Sequence, residues 1–138
     1  MVYFFDTYAL IEIIKGSPNY KDYSGYKFIT TRFNLMELYY GLLRLFNEMV
    51  ADRYFSTFLP SCIPVSDDTI KAAMKFRFEQ RKKGNLISYV DCIGYIMALE
   101  NDIRLVTGEK HFLGLRNVEF VKSLGLEAQE IERLNKVN

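Results

Sequence analysis

Four carboxylates in this chain stand where a carboxylate has no ordinary reason to be. Asp6 closes the apolar run Val2-Tyr3-Phe4-Phe5. Glu37 lies in N-L-M-E-L-Y-Y-G, near the start of an apolar helical pattern. Asp91 interrupts S-Y-V-D-C-I-G-Y-I-M-A, and Glu109 follows L-V-T-G. An ionised carboxylate is rarely buried unless it is paired or binds a metal. Acids brought together without compensation repel one another and take up protons. A hard divalent cation such as Mg²⁺ or Mn²⁺ removes that difficulty. It prefers oxygen ligands, activates water and steadies charge on a phosphoryl group. Other chemistries are poorly served. There is one histidine, His111, and neither Cys62 nor Cys92 has a clear base beside it, so a nucleophilic triad has little support. No CxxC, GxGxxG or phosphate-binding loop is present.

The pattern of the chain shows what must hold these acids. Short strand-like runs at 2–5, 26–30, 62–65, 104–107 and 118–121 alternate with helical patterns at about 7–15, 31–46, 47–59, 66–84 and 88–101. Gly16 with Pro18 stops the first helix, and Thr31 or Asn34 opens the second. Pro64 argues that the 62–65 run is an edge or a strand end. A short helix is expected around 127–134. This alternation predicts an α/β fold, a three-layer α/β/α sandwich with a central, mainly parallel sheet. In such sheets, sites form beyond the carboxyl ends of the strands. Asp6 and Thr107-Gly108-Glu109 fall there by position.

Plain structural readings stand beside the chemical one. Asp6 can be a helix cap. Glu37, three residues after Asn34, and Asp91, three after Ser88, both resemble capping boxes. Glu109 can be a loop acid. Gly94 and Ala98 lie near the face of Asp91 and are expected to keep a pocket open.

Composition narrows the rest. The 138 residues fit a single domain, 1–138, with a core over about 2–121 and a C-terminal tail over 122–138. A hydrophobic share of 49% supports a sizeable core. The formal net charge of +1 gives no overall field toward nucleic acid, so any basic surface is local. The stretch 71–84 supplies Lys71, Lys75, Arg77, Arg81, Lys82 and Lys83, either a phosphate-binding surface or a solvated helix face. Arg32 and Lys110, nearer the acids, are further candidate phosphate contacts. Two cysteines make no disulfide framework. With no signal-like start and no apolar run of membrane-spanning length, a cytoplasmic protein is expected.

The stretches F-F-D-T-Y-A-L-I, L-M-E-L-Y-Y-G-L, S-Y-V-D-C-I-G-Y-I-M-A and L-V-T-G-E-K-H-F, in that order and at these separations, resemble the PIN-domain family of metal-dependent ribonucleases. The chain looks most like the VapC-type toxin branch. The resemblance covers about residues 2–121. It implies an endoribonuclease that hydrolyses RNA phosphodiester bonds with one or two Mg²⁺ or Mn²⁺ ions held by Asp6, Glu37, Asp91 and Glu109. Thr7 and Thr107 match positions where the family places a small hydroxyl near the metal water. Arg32, Lys110, Arg81 and Lys82 are the candidate contacts to RNA phosphates. The resemblance also implies an antitoxin protein as partner and a homodimer, with Leu10, Ile14, Tyr39, Leu43 and Phe46 as candidate contact residues. The family usually carries Asp where this chain has Glu109, whose extra methylene moves the carboxylate by about an ångström. Two other readings remain within the family: a nuclease of RNA maturation, and a degenerate domain that binds RNA or protein without cutting.

Overall fold

A computed structural model describes residues 1–123. The expected helix at 127–134 lies outside the described residues. In chain order the elements are β1 (Val2–Phe5), α1 (Thr7–Lys15), β2 (Lys27–Ile29), α2 (Arg32–Leu45), α3 (Glu48–Phe58), α4 (Asp67–Lys82), α5 (Tyr89–Glu100), β3 (Arg104–Thr107) and β4 (Val118–Phe120). The four strands form one sheet in the order β2-β1-β3-β4, and all three pairings are parallel. The expected α/β/α sandwich is therefore present.

The layering follows from alternation along β1. Successive side chains point to opposite faces of a strand. Tyr3 and Phe5 enter one core with Leu10, Leu35, Leu38, Leu42 and Val106, beneath α1, α2 and α3. Phe4 enters the other with Ala73, Ile93, Met97, Ala98 and Leu105, beneath α4 and α5. A strand apolar on both faces is what a fully covered parallel sheet requires. Among the described residues, no helix is long and apolar enough to cross a membrane.

The strand expected at 62–65 is reduced to a single bridge between Thr30 and Cys62. Thr30 N–H donates to Ser61 O and Ile63 N–H to Thr30 O, each at 3.0 Å. The ladder stops because its partner has already turned into α2 at Arg32. Pro64 then leaves this strap with one fewer donor for further pairing.

Helix ends follow their local chemistry. Asp6, Thr31, Asn47, Ser66 and Ser88 each accept a backbone N–H at the start of a helix. Gly16 ends α1 in the left-handed region at φ 72°. Gly94 has a different task from the one its spacing suggested. A Cβ there would lie 2.9 Å from the Phe4 ring, so its absence lets α5 settle on β1 rather than keeping a pocket open. Gly108 is more tightly enclosed, with a Cβ falling 2.3 Å from Tyr8 and 2.4 Å from the Val121 carbonyl. The first of these neighbours belongs to α1, and the second is backbone that cannot rotate away. We therefore expect Gly108→Ala to cost about 1–3 kcal/mol, the usual range for overpacking. Urea unfolding would measure it as a lower midpoint at unchanged slope.

Candidate active site

The chain passes from β1 to β2 on one side of the sheet and reaches β3 on the other. The strand order thus reverses between β1 and β3, and the crevice beyond their carboxyl ends is the favoured binding position in such sheets. Asp6 leaves β1 at that crevice, and Thr107 ends β3 beside it. Asp91 arrives from the first turn of α5, capped by Ser88. Glu37 comes from α2. Because Thr31, not Asn34, caps that helix, Glu37 lies past its first turn and is no capping-box acid.

The Asp6 carboxylate is 1% exposed. Its Oδ1 accepts the Ala9 N–H at 2.9 Å, so the capping role is real. Its Oδ2 is buried with no hydrogen-bond partner among the described residues, which a cap does not explain. Burial raises its pKa to about 8, with Asp91 adding repulsion and the Thr107 hydroxyl and Ala9 amide opposing it. Asp91 is pushed up to about 7 by burial, then by Glu37, while Ser88 pulls back. Its place at a helix N-terminus favours charge by only about 0.3–1 kcal/mol, and burial outweighs that. Glu37 is also raised by burial, opposed by Thr7.

Thr7 is the centre of a short polar chain. Its hydroxyl donates to Glu37 Oε1 at 2.8 Å. Asn34 Nδ2 donates to Thr7 Oγ1 at 3.3 Å, and Thr31 Oγ1 donates to Asn34 Oδ1 at 2.7 Å. Thr31 and Asn34 are fully buried, so this chain fixes the rotamer of Glu37 from behind. Sequence reasoning treated Asn34 only as a possible helix start. Its three-residue offset from Thr31 was the available signal. Thr107 Oγ1 accepts the Glu109 N–H at 3.0 Å and so shapes the turn after β3.

Glu109 is held differently. Its Oε1 meets both the His111 N–H and the His111 ring Nδ1. It still adds repulsion to both Asp6 and Asp91. Among the described residues, no three acid, histidine or cysteine side chains stand together closely enough, as arranged, to clasp a single ion. Two of the four acids are engaged by neighbours, Glu37 by Thr7 and Glu109 by His111. The donor set nevertheless suits a hard cation. All four groups offer oxygen, one buried oxygen lacks a partner, and Mg²⁺ is typically bound through one or two carboxylates with waters completing its shell.

The basic candidates are scattered. Arg32 is exposed at the start of α2, the helix that carries Glu37, and Lys110 is exposed directly after Glu109. Arg81 is exposed at the end of α4. Lys82 pairs with Glu79 at 3.2 Å and lies over Phe78. Arg77, from the same basic stretch, donates to Ile87 O at 3.1 Å and stacks on Tyr89, bracing the entry to α5. Of the candidate contact residues, Leu10 is core at 0% exposure, whereas Leu43 and Phe46 are exposed.

The raised carboxyls set a pH dependence whose sign follows directly. Asp6 has an ordinary pKa of 3.8, so between about 4 and 8 the folded chain keeps a proton that the unfolded chain has lost. Stability of the protein in chelator therefore falls as pH rises through that window, by up to about 1.4 kcal/mol per pH unit for each such carboxyl. Asp6→Asn retains the cap and removes one titration. It should flatten the slope and exceed wild type in thermal midpoint at pH 8. A wild-type midpoint that climbs toward pH 8 in chelator would contradict this electrostatic picture.

The family model described as PIN domain matches residues 3–118. No curated protein sequence matches the chain. Among solved structures, the chain is similar to a toxin-antitoxin complex from Klebsiella pneumoniae, with 22% identity over 88% of this chain and 99% of that one, at a TM-score of 0.70. VapBC2 from Rickettsia felis, bound to a DNA fragment from its promoter, is similar at 21% identity over 88% and 100%, with a TM-score of 0.69. VapBC-1 from nontypeable Haemophilus influenzae is similar at 18% identity over 88% and 98%, with a TM-score of 0.67. At these identities the structural likeness speaks for the fold, while the match over residues 3–118, which takes in Asp6, Glu37, Asp91 and Glu109, makes this chain a member of the PIN-domain family.

Proposed function

We propose that the chain is a metal-dependent endoribonuclease and the toxin of a VapBC-type pair. The observation that carries this reading is the buried, unpartnered Oδ2 of Asp6 beside a second carboxyl, Asp91, whose charge is likewise resisted by burial. A fold gains nothing from two such groups unless something cationic compensates them. Asp6 and Asp91 would hold Mg²⁺ or Mn²⁺, with Glu37 and Glu109 beside them. When bound, such an ion supplies a Lewis acid for the phosphoryl oxygens and makes neighbouring water a better nucleophile.

The chain's own residues supply the rest. Glu37 is oriented by Thr7, and its raised affinity for protons suits it to take one from an attacking water. Thr107 fixes the turn that presents Glu109. Arg32 and Lys110, both exposed, would meet phosphates flanking the cut. Engagement of Glu109 by His111 favours one metal over two. The exposed apolar residues Met36, Tyr40, Leu43, Phe46 and Met49 on α2 and at the start of α3 suit a protein partner, either an antitoxin or a second copy. The toxin role draws support from the VapBC neighbours, and the chain's own geometry bears on the nuclease half alone.

Titration of Mn²⁺ into wild type should raise the thermal midpoint, and Asp91→Asn should abolish that rise. Wild type should cleave a mixed RNA pool with Mg²⁺ or Mn²⁺ and lose activity in chelator. Asp91→Asn should fall by on the order of a hundredfold or more. Metal binding should tighten as pH rises from about 6 to 8, because ligation displaces the carboxyl protons. If neither protein binds millimolar metal, the hydrolytic reading fails.

A further inference from the structure

A cleft of about 510 Å³ opens between the first turn of α2 and the strap at 61–65. That size is within the range of small-molecule sites. Its apolar walls include Phe33, Leu59, Ile63 and Val65, and Arg32 and Cys62 line it as well. Among the described residues no acid lines it. Arg32 is exposed, and among the described residues it joins no ion pair. Burial raises the Cys62 thiol pKa, and the nearby Arg32 charge opposes this.

The cleft is built on the same frame as the carboxylates. Thr30, which anchors the strap through its backbone, donates its hydroxyl to Phe5 O at 2.8 Å, one residue before Asp6. Phe33 precedes Glu37 by four residues, so the two lie one turn apart on one face of α2. A ligand against Phe33 would therefore lie one helical turn along α2 from Glu37. The chemistry asks for a flat apolar body carrying an anion. A guanidinium fork suits phosphate, and an aromatic ring with aliphatic neighbours suits a base. A base inside a duplex is stacked and paired and cannot enter.

We propose that this cleft receives the base of an unpaired nucleotide flanking the scissile bond, with Arg32 holding that nucleotide's phosphate. The proposal rests on the nuclease reading and adds what that reading lacks, a reason to cut single-stranded segments and to prefer certain bases at one position.

Cys62 makes the cleft directly observable. Cys92 is 0% exposed, so Cys62 is the thiol that a maleimide reaches first. Asp91→Asn, which does not cleave on the proposed mechanism, would be treated with N-ethylmaleimide in the presence of a single-stranded oligoribonucleotide, with Cys62→Ser as the labelling control. We expect saturable slowing of modification by at least about fivefold, which a fully paired duplex does not give, and loss of that slowing when Arg32→Ala is added. Wild type already modified at Cys62 should cleave RNA more slowly while its Mn²⁺ stabilisation is unchanged. If wild type cleaves the oligonucleotide but Cys62 is modified at the same rate with and without it, the nuclease reading survives and the cleft assignment is overturned. Protection given by a protein partner and not by RNA overturns it as well. Protection without cleavage by wild type keeps the cleft as a single-strand site and removes the hydrolytic assignment.

Discussion

Everything at the carboxyl edge of this sheet is organised around one electrostatic conflict. Asp6 must sit at the end of a central strand, where water is excluded, and Asp91 is brought against it by the helix that covers that strand. Among the described residues neither group joins an ion pair. Burial alone would be met by protonation, and the raised pKa values of both residues show that tendency. Much of the local construction is consistent with holding the acids together against it. Gly94 lets α5 come down onto Phe4, Ser88 starts the helix that carries Asp91, and the Thr31–Asn34–Thr7 chain restrains Glu37.

The same economy governs the two faces. One face is packed by α1, α2 and α3, the other by α4 and α5, and each face contributes acids to the crevice between β1 and β3. Asp6 belongs to the strand layer, Glu37 to one helical layer and Asp91 to the other. The site is therefore a three-layer contact, and its geometry depends on both cores at once. Glu109, on a turn after β3, has a local partner in His111.

Much of this was legible in the sequence because the signals were local. The run Val2–Phe5 followed by Asp6, the Gly16 stop and the Ser88 cap each fix an element by their own chemistry. The order of the four acid motifs carried the family. What could not be read was anything decided by a distant partner. The strap at 62–65 has a strand's composition, yet its ladder ends because α2 begins at Arg32. Gly94 sits on the helix of Asp91 but answers to Phe4, which is far away in the chain. Glu37 fitted a capping-box offset from Asn34 until Thr31 took the cap. The tie from Glu109 to His111 spans only two residues, but sequence gives no means of choosing it over a turn toward Asp6.

The pairing of β1 with β3 has a consequence for how the molecule comes into being. Tyr3 to Phe5 lie against Arg104 to Val106, so β1 waits for β3 before its second neighbour arrives. At ribosomal speeds of about 5–20 residues per second, that interval is on the order of 5–20 seconds. During it Val2–Phe5 has at most β2 on one side, and Asp6 has neither Asp91 nor Thr107 beside it. The crevice cannot exist on a chain that has not yet reached β3. A nuclease built this way is harmless to the machinery that makes it until β3 has been made.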